Sequence, residues 1–256
     1  MGIGNLAKLI NSNMAITPEK KFLREFNKTI EELDENRAPS KTYAPSSMGG
    51  CMRLMYFKVT GAECDPPSGD SILAGICESG TDRHVRLQTW VTRMKEAGYD
   101  WEWIDVGEYL KEHPVKGTYI SNKSGMETHC KNKILNLSFM TDGIIKYEGD
   151  YYILEIKTES VYKYQSQTGP FPEHLVQATC YSTGLGIDKV IFLYEDRNLC
   201  NKKCYLVDIT DEMKQDLVVG KIQTVEQFKK DGITPPKSTN LKDCTYCSYK
   251  KICGMY

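Results

Sequence analysis

Three cysteines near the end of the sequence, Cys244-x2-Cys247-x5-Cys253, constrain this chain more than any other feature. The amino terminus, MGIGNLAKLINSN, lacks the apolar stretch of a secretory signal and carries Leu6 where a myristoylation site needs Ser or Thr. The chain therefore reads as cytoplasmic. In that compartment thiols stay reduced, and patterned cysteines point to metal or cluster ligation before disulfides. Three thiolates leave a tetrahedral or cubane site one ligand short, so one distant cysteine has to return to the tail. A structural zinc ion and a 4Fe–4S cluster both satisfy that demand. Zinc ribbons usually use two Cys-x2-Cys knuckles, whereas here the second half is Cys-x5-Cys with no second knuckle upstream.

Composition limits the function classes. With 33 Lys and Arg against 34 Asp and Glu, the net charge of −1 argues against a uniformly basic nucleic-acid coat. The sum hides segregation, however. Lys229 to Tyr256 carries six Lys and two acids, and Gly61 to Leu110 carries ten acids and four bases. A basic tail beside an acidic block suits a phosphate-binding surface near a cation-binding one. Hydrophobic residues at 40% describe a folded globular chain. No run of about 18 apolar residues occurs, so no membrane partner is expected.

Hydrophobic periodicity predicts an amphipathic helix over Thr17–Asn36, with Phe22, Phe26, Ile30 and Leu33 on one stripe. A linker follows over Arg37–Ser47, then a short helix bearing Cys51, Arg53, Leu54 and Tyr56, a loop over Gly61–Gly69 and a long helix over Asp70–Ala97. Strands are expected at Trp101–Leu110, Leu135–Lys146, Tyr151–Lys157, Val190–Tyr194 and Cys204–Ile209, the fourth buried on both faces. Helices are expected at His174–Gly186 and from Asp211 to about Lys230. This order implies an α/β fold, a mixed central sheet covered by helices on both faces.

The chemistry concentrates on one hairpin. If Glu148 and Gly149 form a two-residue turn, Asp142 and Glu155 become cross-strand neighbours, with Cα atoms roughly 4.5–5.5 Å apart. Lys157 then projects from the same face as Glu155, because side chains alternate along a strand. Two carboxylates held this close repel unless a cation lies between them, and Mg2+ suits such a site. The same pattern also fits an ordinary hairpin with one polar face.

In order along the chain stand Gly80-x3-His84, Asp142, Glu155-x-Lys157 and Gln177-x3-Tyr181. This set resembles the RecB-type PD-(D/E)XK nucleases over roughly Cys51 to Cys253. The resemblance implies a restriction-endonuclease-like core. His84, Asp142, Glu155 and the backbone carbonyl of Ile156 would hold Mg2+ or Mn2+. Lys157 would be the catalytic lysine, and Gln177 and Tyr181 would position DNA or the catalytic groups. His113, His129 and His174 fit no motif and are read as structural.

Cys51, in GlyGlyCysMetArgLeuMetTyr, extends the resemblance to the CRISPR-associated Cas-four exonucleases and the AddB-type nucleases. It implies a 4Fe–4S cluster on Cys51, Cys244, Cys247 and Cys253, with Cys64 as the second choice for the early ligand. The implied domains are an N-terminal helical extension, residues 1–45, and a nuclease domain, residues 46–256, closed by the cluster. The implied activity is a Mg2+/Mn2+-dependent DNA exonuclease, 5′→3′ on single strands or ends. Partners would be DNA and recombination or CRISPR-adaptation proteins in a bacterial, archaeal or phage-infected cell, and a homo-oligomeric ring would explain processivity. A silent DNA-end-binding protein and a zinc-stabilised interaction protein are the alternatives. No Gly-x4-Gly-Lys-[Ser/Thr] segment occurs, so unwinding would need another protein.

Overall fold

The computed structural model describes residues 17–33, 40–66, 70–245 and 247–254. Readings made on residues 1–16, on 34–36 of the first helix, on 37–39 of the linker and on 67–69 of the following loop lie outside it. The described residues divide into two compact units. The smaller comprises helix α1 (Pro18–Leu33) and residues 70–79. Pro18 opens α1, where a missing N–H costs nothing, and the stacked rings of Phe22 and Phe26 lie on its surface.

The larger unit carries the remaining elements. Helices α2 (Pro45–Met48) and α3 (Met52–Thr60) come first, with Cys51 capping α3 and not inside it. Helix α4 (Ser71–Thr92) ends five residues before the expected Ala97; its residues from Gly80 onward belong to this unit. The expected strand Trp101–Leu110 is instead a three-residue strand, β1 (Glu102–Ile104), followed by helix α5 (Val106–Glu112). Asp105 causes the switch: its carboxylate accepts from the N–H groups of Gly107 and Glu108, a helix N-cap.

Strands β2 (Thr118–Ser124), β3 (Glu127–Asn132) and β4 (Leu137–Thr141) form a separate antiparallel sheet. The first two were not foreseen. Six of the seven residues of β2 are exposed, so no apolar alternation announces it. The expected single strand Leu135–Lys146 is two strands in two sheets: β4 ends at Thr141 and β5 (Gly143–Tyr147) begins the larger sheet, with Asp142 alone between them.

The larger sheet has the order β1-β5-β6-β7-β8, with β6 (Asp150–Glu159), β7 (Lys189–Asp196) and β8 (Lys202–Asp208). Only β6 and β7 are parallel. Helices α6 (Val161–Ser166) and α7 (Pro172–Leu185) supply the crossover that a parallel pair requires. After β8 come α8 (Asp211–Lys214), a π-helical turn (Gln215–Val219), α9 (Gly220–Asp231) and, in the tail, α10 (Lys250–Cys253). Among the described residues no helix is long and apolar enough to cross a membrane.

Alternation sorts the core onto the two faces of this sheet. Ile144, Ile153, Val190, Phe192 and Tyr194 join one cluster with Ala178 and Leu185 of α7. Ile145, Leu154 and Ile156 join the other with Leu87 of α4. Each such side chain contributes roughly 1.5–3 kcal/mol of burial free energy. The packing is tight where the sheets meet, since a Cβ at Gly143 would overlap the indole ring of Trp103. Gly143→Ala is therefore expected to destabilise the domain by about 1–3 kcal/mol, read as a lower urea midpoint. An unchanged midpoint would mean that Trp103 does not hold this position.

Candidate metal centre

The hairpin between β5 and β6 turns on Glu148 (φ 51°) and Gly149 (φ 90°), the left-handed pair of a two-residue turn. Its ladder runs from Tyr147↔Asp150 to Gly143↔Leu154, so Asp142 and Glu155 occupy the next register position. This is the expected pairing. Asp142 itself lies where the chain leaves one sheet for the other, and three contacts from two elements hold it there. The backbone N–H of Ile156 donates to Asp142 Oδ2 at 2.6 Å. Gln88 of α4 donates from Nε2 to the Asp142 carbonyl at 2.7 Å. One turn earlier on the same helical face, His84 places Nδ1 3.1 Å from Asp142 Oδ1.

Glu155 is 1% exposed. Lys157 Nζ approaches its Oε1 to 2.5 Å, but that oxygen accepts no hydrogen bond of good geometry. Lys157 also donates to Gln177 Oε1 at 2.8 Å, which fixes the ammonium between helix α7 and strand β6. Tyr181, one turn along α7, packs near Phe139 with ring centroids 6.2 Å apart, and burial holds its phenol protonated. Ile156 is fully buried beneath the site.

A residue outside the sequence motifs joins this group. Ligand atoms of His84, Glu127 and Asp142 all lie within 4.8 Å of one another. Glu127 opens β3, and its only sequence signal is the alternation of Thr128, Cys130 and Asn132, all buried, with Glu127, His129 and Lys131 between them. That pattern is too polar to be legible as a strand without its partners.

The electrostatics suit a cation. Burial pushes Glu155 up to about 7, with Lys157 opposing and Asp142 reinforcing the shift. Glu127 is raised by burial and then by Asp142. At His84 burial disfavours the charged ring, but the hydrogen bond and charge of Asp142 outweigh it, and the pKa rises. At Lys157 burial is likewise outweighed by Glu155 and Asp142. Three neighbouring carboxylates, one with an unsatisfied buried oxygen, are the donor chemistry of a hard divalent cation, and the residues present fit one. The imidazole beside them is compatible with Mn2+ as well.

These shifts fix a pH dependence for the protein in chelator. Glu155 binds its proton more tightly folded than unfolded, so it contributes stability below about 4.5 that is lost as pH rises through about 7. His84 acts with the same sign, losing its contribution as pH rises above 6.5. The melting temperature in EDTA is expected to fall between about pH 5 and pH 8 by calorimetry. A flat or rising curve over that interval would contradict the burial of Glu155.

The tail cysteines meet Cys51 at a separate place. Cys51, Cys244, Cys247 and Cys253 line one small cavity with Arg53 and Lys237. Arg53 donates from Nε to the Pro235 carbonyl at 2.6 Å and approaches Cys253 Sγ to 3.8 Å. Burial raises the Cys247 thiol, and Cys51, Cys244 and Cys253 add to the effect. Cys130 and Cys180 are fully buried in the core. Cys200 lies in the turn between β7 and β8 with φ 56°, and Cys204 lies within β8. His174, outside every motif, is neutral over most of the pH range, its pKa pushed down to about 3 by burial and nearby Lys157; its Nδ1 lies 2.9 Å from the Tyr194 hydroxyl.

No protein-family model and no curated protein matches the chain. Among solved structures, the crystal structure of SSO0001 covers 91% of this chain and 97% of its own, at 15% identity and a TM-score of 0.52. The two share a fold. An alkaline exonuclease (LHK-Exo) from Laribacter hongkongensis aligns over 76% of this chain and 95% of its own, at 13% identity and a TM-score of 0.42. Its complex with dAMP aligns at 14% identity and a TM-score of 0.43.

Proposed function

We propose that this chain is a divalent-metal-dependent nuclease that hydrolyses DNA phosphodiester bonds. One observation carries the reading: a buried, partly unsatisfied Glu155 and a clamped Lys157 stand beside the carboxylate–imidazole group of Asp142 and His84. A bound Mg2+ or Mn2+ would neutralise charge developing on the scissile phosphate and favour ionisation of an attacking water. His84, Asp142, Glu155 and the Ile156 carbonyl would hold it. Lys157, kept cationic by Glu155 and Asp142, directs its charge at the phosphate and orients the water. Gln177 fixes the lysine's position. Tyr181 supports that helix from within, since its ring belongs to the core.

The ordered motifs and the acidic pocket paired with a basic tail favour DNA ends or single strands as substrate, with 5′-phosphate and 3′-hydroxyl products. Direction 5′→3′ follows the resemblance to the Cas-four and AddB-type enzymes. In the same reading Cys51 and the tail hold a 4Fe–4S cluster. The spacing supports this over a zinc ribbon, because the tail has one Cys-x2-Cys knuckle followed by Cys-x5-Cys in place of a second knuckle.

The test is digestion of end-labelled single- and double-stranded DNA with Mg2+ or Mn2+, by the wild type and by Asp142→Ala. Metal-dependent cleavage lost in the variant supports the proposal. DNA binding without cleavage under any divalent metal would favour a silent end-binding protein.

A further inference from the structure

We infer that Glu127 is a protein donor to the divalent cation, delivered by the small sheet, and that the cation ties the two sheets together. This rests on the metal-dependent reading above and adds a residue outside the motifs read from the sequence. The argument begins with register. Strands β3 and β4 pair from Asn132↔Leu137 to Thr128↔Thr141, so the next position of that ladder sets Glu127 opposite Asp142. The β5–β6 ladder sets Glu155 opposite the same residue. Asp142 thus stands at the junction of two ladders with a carboxylate across from it in each.

Like charges directly opposite on neighbouring strands destabilise a sheet. Here two such pairs share one residue, and nothing in the small sheet repays the cost. Among the described residues Glu127 forms no salt bridge, and its carboxylate oxygen lies within 4.8 Å of the ligand atoms of His84 and Asp142. Glu155, 1% exposed and opposite Asp142 on the other ladder, has the single cation Lys157 against its Oε1, which leaves the charges of Asp142 and Glu127 to be balanced by His84 and a further cation. A divalent cation answers both observations, drawing oxygen from β3 and from the Asp142 junction and nitrogen from α4. One imidazole with several carboxylates is more protein ligation than Mg2+ ordinarily accepts, and it suits Mn2+.

The test is calorimetric titration of the full-length protein with Mn2+, together with the Mn2+-induced shift in melting temperature. Glu127→Gln keeps the shape and removes the charge. It is expected to weaken Mn2+ binding at least tenfold and to shrink the thermal shift at fixed Mn2+. Glu127→Asp, which retains a carboxylate, should lose less; if Glu127→Gln fails to fold, this variant against the wild type decides the matter. Wild-type affinity in both variants, with binding lost in Asp142→Asn, overturns the role of Glu127 and leaves the metal site standing. A wild-type protein that takes up no Mn2+ overturns the metal-dependent reading itself.

Discussion

Lys157→Ala is expected to lower hydrolysis of end-labelled DNA by about 10²–10⁴-fold, the span typical of a positioned catalytic side chain, while Mn2+ affinity stays within a few-fold of wild type. The reasoning is geometric. Lys157 lies 2.5 Å from Glu155 and donates to Gln177, and as an ammonium it has no lone pair to offer a metal. Its loss removes a cation aimed at the reacting phosphate and leaves the donor atoms in place. Asp142→Ala should behave differently, because it deletes the carboxylate shared by both ladders and so abolishes metal uptake and cleavage together. A Lys157→Ala enzyme with undiminished cleavage would remove the lysine from the chemistry. Lost Mn2+ binding in the same variant would instead assign Lys157 to holding Glu155.

The second large effect is on stability. Cys247→Ala is expected to bleach a brown absorption near ~400 nm and to lower the stability of the whole larger unit by about 5 kcal/mol, the chain-entropy value for a closed loop of about 200 residues. That loop runs from Cys51 to the tail, with nearly all of the larger unit between them. Cys51→Ser should match it, because a cluster that loses either end of the clip no longer closes the loop. Cys64→Ser should be silent in both readouts, as the cavity is lined by Cys51, Cys244, Cys247 and Cys253. Full stability in Cys247→Ala, or colourless wild-type protein containing zinc after anaerobic purification, would sink the cluster.

Much of the strand pair that carries Asp142, Glu155 and Lys157 was legible because its geometry is local. The Glu148–Gly149 turn sets the hairpin register, and register sets which side chains share a face. The long helix and its Gly80-x3-His84 element were equally readable from helical periodicity. What failed did so for physical reasons. A run that alternates adequately, Trp101–Leu110, carries an aspartate able to cap a helix, and the cap prevailed over the alternation. The break at Asp142 was hidden because the runs Leu137–Thr141 and 144–147, on either side of Asp142 and Gly143, are both strand-forming. Nothing in the run Leu135–Lys146 says that its halves belong to different sheets.

The sequence by itself determined the relations spanning a turn of chain: Asp142 against Glu155, Lys157 beside them, Gln177 one helical turn before Tyr181, and three cysteines spaced to share one site. Each follows from a fixed backbone period acting over a few residues. Only the tertiary structure decided that Glu127 faces Asp142 and that Cys51 lines the same cavity as the tail. Those meetings join residues 15 and about 200 positions apart, and their partners are selected by how sheets and helices bury apolar surface against one another. Packing of that kind is non-directional, so neither meeting follows from a local backbone period.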